Sequence, residues 1–134
     1  MRYWILKSDP DTYSIDDLIR DKETDWDGVR NYQARNNIKQ MEPGDLAFIY
    51  HSQSERTIVA IAEITSTPFI DKTAKEDTWY AVRIQFKEKL SQPISLQQIK
   101  TNDKLKDIAL VRQSRLSVIP ISEENYNDIM EMNS

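Results

Sequence analysis

The most informative segment of the chain reads Trp26-Asp27-Gly28-Val29-Arg30-Asn31-Tyr32-Gln33-Ala34-Arg35-Asn36. Within eleven residues it combines two aromatic residues, two arginines, three side-chain amides and one of the two glycines of the chain. A helix that only packs in a core does not need this mixture. Aromatic faces, amide groups and guanidinium groups are what proteins use to hold a planar, hydrogen-bonding ligand such as a nucleobase. The segment therefore favours a nucleobase-binding site.

The residues at the end of this segment and just after it predict a helix and a tight turn. Ala34, Ile38 and Met41 repeat at steps of four and three residues, which is typical of a helix of about three turns with one buried face. Pro43-Gly44 then ends the helix and suits a type II turn, in which glycine takes a positive φ. Gly28, between two larger residues at a loop-to-helix junction, is also expected to serve a backbone angle or a close approach.

Strand-forming segments dominate the rest of the chain. Tyr80 to Lys87 alternates apolar and polar side chains, as a half-buried strand does. The polar stretch between the second and third predicted strands is short enough to form a hairpin. The predicted strands are Arg2 to Lys7, Leu46 to Tyr50, Thr57 to Ile64, Tyr80 to Lys87 and Arg115 to Ile119, and the predicted polar loops are Asp21 to Asp25, His51 to Arg56 and Thr65 to Thr78.

Three further short helices are predicted, each starting at a serine that caps the helix N-terminus: Ser14, Ser95 and Ser122. Strands outnumber helices and follow one another through short links. This pattern predicts an α+β fold, in which a mixed or antiparallel sheet curls into an open β-barrel flanked by several short helices. No glycine-rich strand-to-helix turn is present, which argues against a parallel doubly wound sheet.

The composition limits the classes of function. A chain of 134 residues corresponds to one domain, 1–134. No apolar run could cross a bilayer and the segment after Met1 is too short in its apolar part for a signal peptide, so a cytoplasmic protein without a membrane partner is expected. Cysteine is absent, which excludes disulfides and thiol chemistry. The formal charge of -4 argues against binding long nucleic acid mainly through phosphates, but it permits local recognition.

Catalysis and metal binding find little support in the sequence. His51 is the one histidine, and no Gly-x-Ser-x-Gly elbow accompanies it, so a Ser-His-acid triad is not expected. A metal site would have to consist of carboxylates, and the acidic groups Asp16-Asp17, Glu23/Asp25/Asp27 and Glu123-Glu124 lack EF-hand spacing. We expect no catalytic residue, no metal and no cofactor.

Two tryptophans are candidates for stacking on a ligand. Trp26 and Trp79 lie in polar segments next to predicted loops, whereas Trp4 lies in a strand and is expected to pack inside. Two indole rings facing each other across a cleft would sandwich a base. Packing in the core is the alternative for both rings.

Polar side chains are candidates for reading the edge of a base. Asn31 and Gln33 carry paired donors and acceptors, although such residues also cap helices. Tyr50-His51-Ser52 ends a hairpin strand and would reach the same cleft, with an exposed histidine of no function as the alternative. Surface ion pairing is the alternative for basic residues. The candidate cations at the rim of the cleft are Lys7, Arg30, Arg35 and Lys39.

Six motifs in order read Lys7-Ser8-Asp9-Pro10, Trp26 to Asn36, Pro43-Gly44-Asp45, Phe48-Ile49-Tyr50-His51-Ser52, Ala62-Glu63-Ile64 and Arg112-Gln113-Ser114-Arg115-Leu116-Ser117-Val118. Together they resemble the EVE domain family over almost the whole chain. The resemblance implies a PUA-like fold and kinship with the YTH domains that read methylated adenine in RNA. It implies a reader of modified bases, with modified cytosine in DNA among the ligands, and no enzymatic activity.

The resemblance also implies which positions line the pocket. Trp26 would be the stacking wall, and Trp79 a second wall. The sequence departs from the family pattern at Asp9, where relatives often have Glu, and at Ala60-Ile61-Ala62-Glu63, where they often place a glycine before the Ala-Glu pair. The remaining pocket residues implied are Lys7, Ser8, Asn31, Tyr32, His51 and Ser52.

These observations favour a non-catalytic module that holds one modified nucleobase of a nucleic acid, DNA or RNA. Two alternatives stay open. One is an accessory subunit of an RNA-modifying or nucleotide-processing enzyme, since PUA-like domains also occur attached to such enzymes. The other is a sensor that takes a nucleoside-like small molecule in the same pocket. The sequence leaves the oligomeric state and the preferred modification open.

Overall fold

The computed structural model describes residues 1–133, and Ser134, the last residue of the predicted domain, lies outside the described residues. Twelve elements alternate along this part of the chain. They are β1 (Tyr3–Ser8), α1 (Ile15–Asp21), β2 (Glu23–Trp26), α2 (Tyr32–Ile38), β3 (Leu46–His51), β4 (Thr57–Ile64), β5 (Phe69–Ile70), β6 (Tyr80–Ser95), α3 (Leu96–Lys100), α4 (Ala109–Arg112), β7 (Val118–Ile121) and α5 (Glu123–Met132).

Seven strands form one mixed sheet in the order β2-β6-β4-β3-β1-β7, with β5 added to β6. The pair β1 and β3 is parallel, and the other strand pairs are antiparallel. The α+β class is confirmed, but the prediction that the sheet forms a β-barrel is wrong. Within residues 1–133 the edge strands β2 and β7 are not hydrogen-bonded to each other.

Helix α2 explains in part why the sheet stays open. It packs against both β6 and β7, so it lies across the gap between the two ends of the sheet. The Asn37 side-chain amide of α2 donates to the Val118 carbonyl of β7 at 2.8 Å, which gives this edge strand a side-chain partner. Pro120 further along β7 has no backbone N–H to offer, as is typical of an edge strand.

The core lies between the sheet and the helices. Strands β3 and β4 are buried along most of their length, so their side chains form a nearly continuous apolar run. Trp4 and Phe48 are among the largest fully buried side chains, in agreement with the predicted packing of Trp4 inside. Tyr126 of α5 stacks on Phe48 with ring centroids 4.8 Å apart, which attaches the last helix to the sheet.

The helix predicted over Ala34 to Met41 is shorter than about three turns, because α2 ends at Ile38. The N–H groups of Gln40 and Met41 bond to carbonyls three residues back, which tightens the chain into a turn, yet Met41 stays buried. The turn at Pro43-Gly44 is confirmed: Gly44 has φ 98°, and the Asp45 N–H donates to the Glu42 carbonyl at 3.1 Å.

Two predicted loops contain strands. Three polar residues of the first loop, Glu23 to Asp25, form β2 together with Trp26, and β2 pairs with β6. In the second loop, Phe69 and Ile70 form β5, which also pairs with β6. Strand β6 extends to Ser95, well beyond the predicted end at Lys87, and pairs with β4 through two irregularities in register. The strand propensities of the residues do not predict β2, because three of its four side chains are polar and its pairing partner is distant in sequence.

None of the helices formed by residues 1–133 has both the length and the apolar composition that crossing a membrane requires.

We predict that Asp45 is a main determinant of stability. Its buried carboxylate accepts hydrogen bonds from the Arg2 N–H, the Trp4 indole N–H and the Glu42 N–H at 3.0 to 3.1 Å, joining β1 to the turn before β3. Asp45→Ala leaves these donors without a partner and should lower the free energy of unfolding by about 3 kcal/mol, measured by urea denaturation. Asp16→Ala, at an exposed position of α1, is the control; an equal loss in both variants would contradict the prediction.

Candidate functional site

A cavity of about 770 Å³ lies at the gap between the two ends of the sheet. One side is formed by β2 and the loop after it. The other is formed by the end of β1, the loop after it and the residue before β7. The lining residues are Lys7, Ser8, Asp9, Thr12, Tyr13, Glu23, Thr24, Asp25, Trp26, Asp27, Gly28, Val29, Arg30, Arg83 and Ser117.

Two aromatic rings form a corner of this cavity. Trp26 is the last residue of β2, and its indole ring meets the Tyr13 ring edge-on, with centroids 6.4 Å apart and planes at 86°. Trp26 is only 9% exposed, so the core holds most of the ring. A ring held in this way keeps its orientation when a planar ligand approaches.

Lys7 and Ser8 line the opposite side at the end of β1. The Lys7 ammonium donates to the Ser114 carbonyl at 2.9 Å and lies 5.8 Å from the centroid of the Tyr50 ring. Burial lowers the pKa of Lys7. The Ser8 hydroxyl donates to the Tyr13 carbonyl at 2.5 Å, so it holds the loop that carries the aromatic corner.

The loop after Trp26 is anchored by Asp71. Gly28 has φ 79°, which confirms that it serves a backbone angle, and its N–H donates to Asp71 at 2.8 Å. Arg30 donates to the same carboxylate at 2.9 Å, and the Thr73 N–H and hydroxyl bond to its other oxygen. Burial alone would raise the pKa of Asp71, but the hydrogen bonds from Thr73, Arg30 and Gly28 outweigh it and hold the pKa far below its usual range.

The acidic residues of the cavity differ in their partners. Arg83 donates to Asp25 at 2.7 Å and to Glu23 at 3.0 Å, so these two carboxylates are paired. The Asp27 carboxylate has no hydrogen bond or ion pair with another residue within 1–133. Burial and the neighbouring carboxylates of Asp71 and Asp25 raise the pKa of Asp27.

His51 and Ser52 do not line the cavity. His51 is 3% exposed, and its Nε2 accepts the Ile15 N–H at 3.0 Å at the start of α1 while Nδ1 faces Glu55 at 3.0 Å. The Ser52 hydroxyl donates to the Ser8 carbonyl at 3.2 Å. Both residues therefore support the elements behind the cavity. They do so because β3 runs beside β1 in parallel, with His51 in register with Ser8.

Asn31 and Tyr32 also lie outside the cavity lining. The Asn31 side chain accepts the Ala34 N–H at 2.9 Å, so it caps α2 and does not read a ligand in this cavity. Tyr32 is 63% exposed and stacks on Trp79 with centroids 5.0 Å apart. Trp79 does not line the cavity, so the expected sandwich between Trp26 and Trp79 is not formed there.

Of the candidate cations at the rim, one more lines the cavity and two do not. Arg30 lines the cavity, and its guanidinium lies 5.7 Å from the centroid of the Trp79 ring. Arg35 lies 5.1 Å from the centroid of Tyr32, and Lys39 lies 5.0 Å from that of Tyr80, both outside the lining. The structure thus brings together Lys7, Ser8, Trp26 and Arg30 of the predicted residues.

Sequence reasoning missed several parts of the site. Tyr13 is an aromatic residue in a polar loop, which is the same signal that identified Trp26. Asp71 and Arg83 act through contacts with residues more than forty positions away, which no local pattern reveals. Among residues 1–133 no group of three or more histidine or acidic side chains is arranged to hold a metal ion.

A single mixed sheet flanked by short helices, with a cavity at the gap between its two ends, here called the seam, defines a small α+β domain. The model of the EVE domain matches residues 2–132 of the chain, and the chain belongs to this family.

The relatives agree with this assignment. Mouse thymocyte nuclear protein 1 is 34% identical over 164 aligned positions, which cover 97% of this chain and 73% of the mouse protein. The crystal structure of Atu2648 from Agrobacterium tumefaciens has a TM-score of 0.95 at 38% identity, covering 100% of this chain and 94% of that one. Human THYN1 protein, crystallised in complex with DNA containing 5-methylcytosine, has a TM-score of 0.93 at 29% identity, covering 100% and 98%.

We predict that replacing Asp71 destabilises the protein in a pH-dependent way. At pH 7, Asp71→Asn should lower the free energy of unfolding by about 2 kcal/mol, since a buried charged acceptor of four hydrogen bonds is lost. Because the folded-state pKa lies below the unfolded value of about 4, this contribution is complete above pH 4 and declines as the pH falls further. Urea denaturation from pH 7 to pH 3 should show the two proteins converging; a constant difference would contradict the prediction.

Proposed function

We propose that this protein binds DNA that carries a modified cytosine and holds that one base in the cavity at the seam of the sheet. No reaction is part of the proposal. Its support at the family level is the human relative, whose structure contains DNA with 5-methylcytosine. Its support within this chain is the cavity beside Trp26.

The size and shape of the cavity carry the proposal. A volume of about 770 Å³ lies within the range of sites that take a small ligand, and it accommodates a base with part of its sugar. The Trp26 and Tyr13 rings both line the cavity, with their planes at 86° to each other, and supply the aromatic surface for a planar group. A base in the middle of a duplex would reach such a cavity by rotating out of the stack.

The charges of the cavity favour a base over a phosphate. Arg83 is occupied by Glu23 and Asp25, and Arg30 is occupied by Asp71. Lys7 remains as a cation whose hydrogen-bond partner is a neutral carbonyl. A phosphate would therefore meet more carboxylates than available cations, whereas a neutral base meets donors and acceptors of both kinds.

We expect tighter binding to a duplex with one 5-methylcytosine than to the same duplex with cytosine, measured by fluorescence anisotropy. Equal affinities for the two would contradict the proposal. Two further probes separate the alternatives. An RNA with 5-methylcytosine tests whether the protein binds RNA as well as DNA. Free 5-methylcytidine, added as a competitor, tests whether the protein binds the nucleoside alone. Displacement of the DNA at nucleoside concentrations near the DNA dissociation constant would favour the sensor.

Trp26→Ala should weaken binding of the 5-methylcytosine duplex by about 5- to 150-fold, the range that one base-aromatic stacking contact supplies. Tyr32→Ala is the matched control, because it also removes an aromatic ring but from an exposed position outside the cavity lining. Circular dichroism and thermal melting check that both variants fold. If Tyr32→Ala removed the preference for 5-methylcytosine and Trp26→Ala kept it, the cavity would not be the binding site.

A further inference from the structure

Among the acidic residues that line the cavity, Asp27 stands apart. Glu23 and Asp25 are bonded to Arg83, and the Asp9 carboxylate accepts the Asp11 N–H at 2.9 Å. Within residues 1–133, no donor from another residue reaches the Asp27 carboxylate. In the part of the chain that the structure describes, its own backbone N–H is the one donor bonded to this carboxylate, and the remaining acceptor capacity is available to a ligand.

The backbone that carries Asp27 is held on both sides. Trp26 before it is in register with Val82 of β6, and Gly28 after it is bonded to the buried Asp71. The backbone of Asp27 is thus held in position at the border of the cavity, next to Trp26. Asp27 and Trp26 both line the cavity, so a base held there against Trp26 lies in the space that Asp27 also borders.

The chemistry of a carboxylate at such an edge discriminates between pyrimidines. Cytosine carries an N4 amine, which donates hydrogen bonds, whereas thymine carries an O4 carbonyl, which accepts them. A carboxylate accepts from the N4 amine and repels the O4 oxygen. 5-Methylcytosine and thymine share the methyl group at C5 and differ at this edge.

We propose that Asp27 selects cytosine bases over thymine by accepting a hydrogen bond from the N4 amine of the bound base. This inference rests on the proposed function and adds the residue that reads the base identity, as distinct from the methyl group. Because Asp27 acts on the N4 position, its replacement alters the choice between 5-methylcytosine and thymine. The preference for 5-methylcytosine over cytosine stays unchanged, because both bases carry the N4 amine.

The electrostatic environment of Asp27 agrees with this role. Burial and the carboxylates of Asp71 and Asp25 raise the pKa of Asp27, and the hydrogen bond from its own N–H and the positive charge of Arg30 offset this only in part. A hydrogen bond from the N4 amine of the base would stabilise the charged carboxylate of Asp27. If the carboxyl takes up a proton at low pH, its carbonyl oxygen still accepts from N4, and its O–H is available to the N3 acceptor of cytosine.

The test compares DNA with 5-methylcytosine, cytosine or thymine at one position opposite an abasic site, so that the cost of breaking a base pair is the same for all three. Dissociation constants are measured by fluorescence anisotropy for the unaltered protein, Asp27→Asn and Asp11→Asn. Asp11 is the matched control because it is exposed, lies in the loop next to the cavity and does not line it. Both substitutions remove one negative charge.

The unaltered protein and Asp11→Asn should bind 5-methylcytosine at least about 10-fold more tightly than thymine, as one good edge contact provides. In Asp27→Asn this ratio should fall to about 3-fold or less, because an amide can donate to O4 as well as accept from N4. The ratio between 5-methylcytosine and cytosine should stay as in the unaltered protein.

Retention of the thymine discrimination in Asp27→Asn would overturn the role of Asp27, and so would an equal loss in Asp11→Asn. Failure of the proposed function would give a different result from failure of the role of Asp27. In that case the unaltered protein itself shows no preference for 5-methylcytosine over cytosine, which also removes the inference. Thermal melting of each variant checks that the exposed substitution leaves the fold intact.

Discussion

The separation of the two edge strands is the constraint on which the site depends. Strand β2 pairs with β6 at one end of the sheet and β7 pairs with β1 at the other, and α2 packs against β6 and β7 across the gap. If β2 and β7 were joined, their hydrogen bonds would occupy the space where the cavity lies. The cavity is therefore a direct consequence of an open sheet, and its two sides belong to strands that are distant in sequence.

An open seam needs other contacts to hold each of its two sides in place. Asp71 supplies one set, because its buried carboxylate ties the Gly28 turn and Arg30 to the segment between β5 and β6. Ser8 supplies another, because its hydroxyl holds the loop that carries Tyr13. The Asp71 bonds hold the loop after β2, and the Ser8 bond holds the loop after β1. The aromatic corner thus keeps its shape without a strand pairing across the seam.

The sequence predicts those features whose cause is local. The alternation over Tyr80 to Lys87, the glycine at the Pro43-Gly44 turn and the φ of Gly28 each follow from one residue or its near neighbours, and the structure confirms them. The order of motifs identifies the family. Strand β2, by contrast, exists because β6 pairs with it, and the roles of Asp71 and Arg83 depend on contacts across more than forty residues. The sequence predicts His51 in the cleft, but the parallel pairing of β1 and β3 places it beside Ser8 and outside the cavity lining.

The acidic character of the chain fits a mode of binding in which shape and edge contacts do most of the selection. A protein with a formal charge of -4 gains little from counterion release along a phosphate backbone. In the cavity, the guanidinium groups of Arg30 and Arg83 are already bonded to carboxylates and serve to hold the walls. In the proposed function, the binding energy then comes from stacking on Trp26 and from hydrogen bonds to a neutral base. Both of these depend on the geometry of the seam, so recognition and fold rest on the same set of contacts.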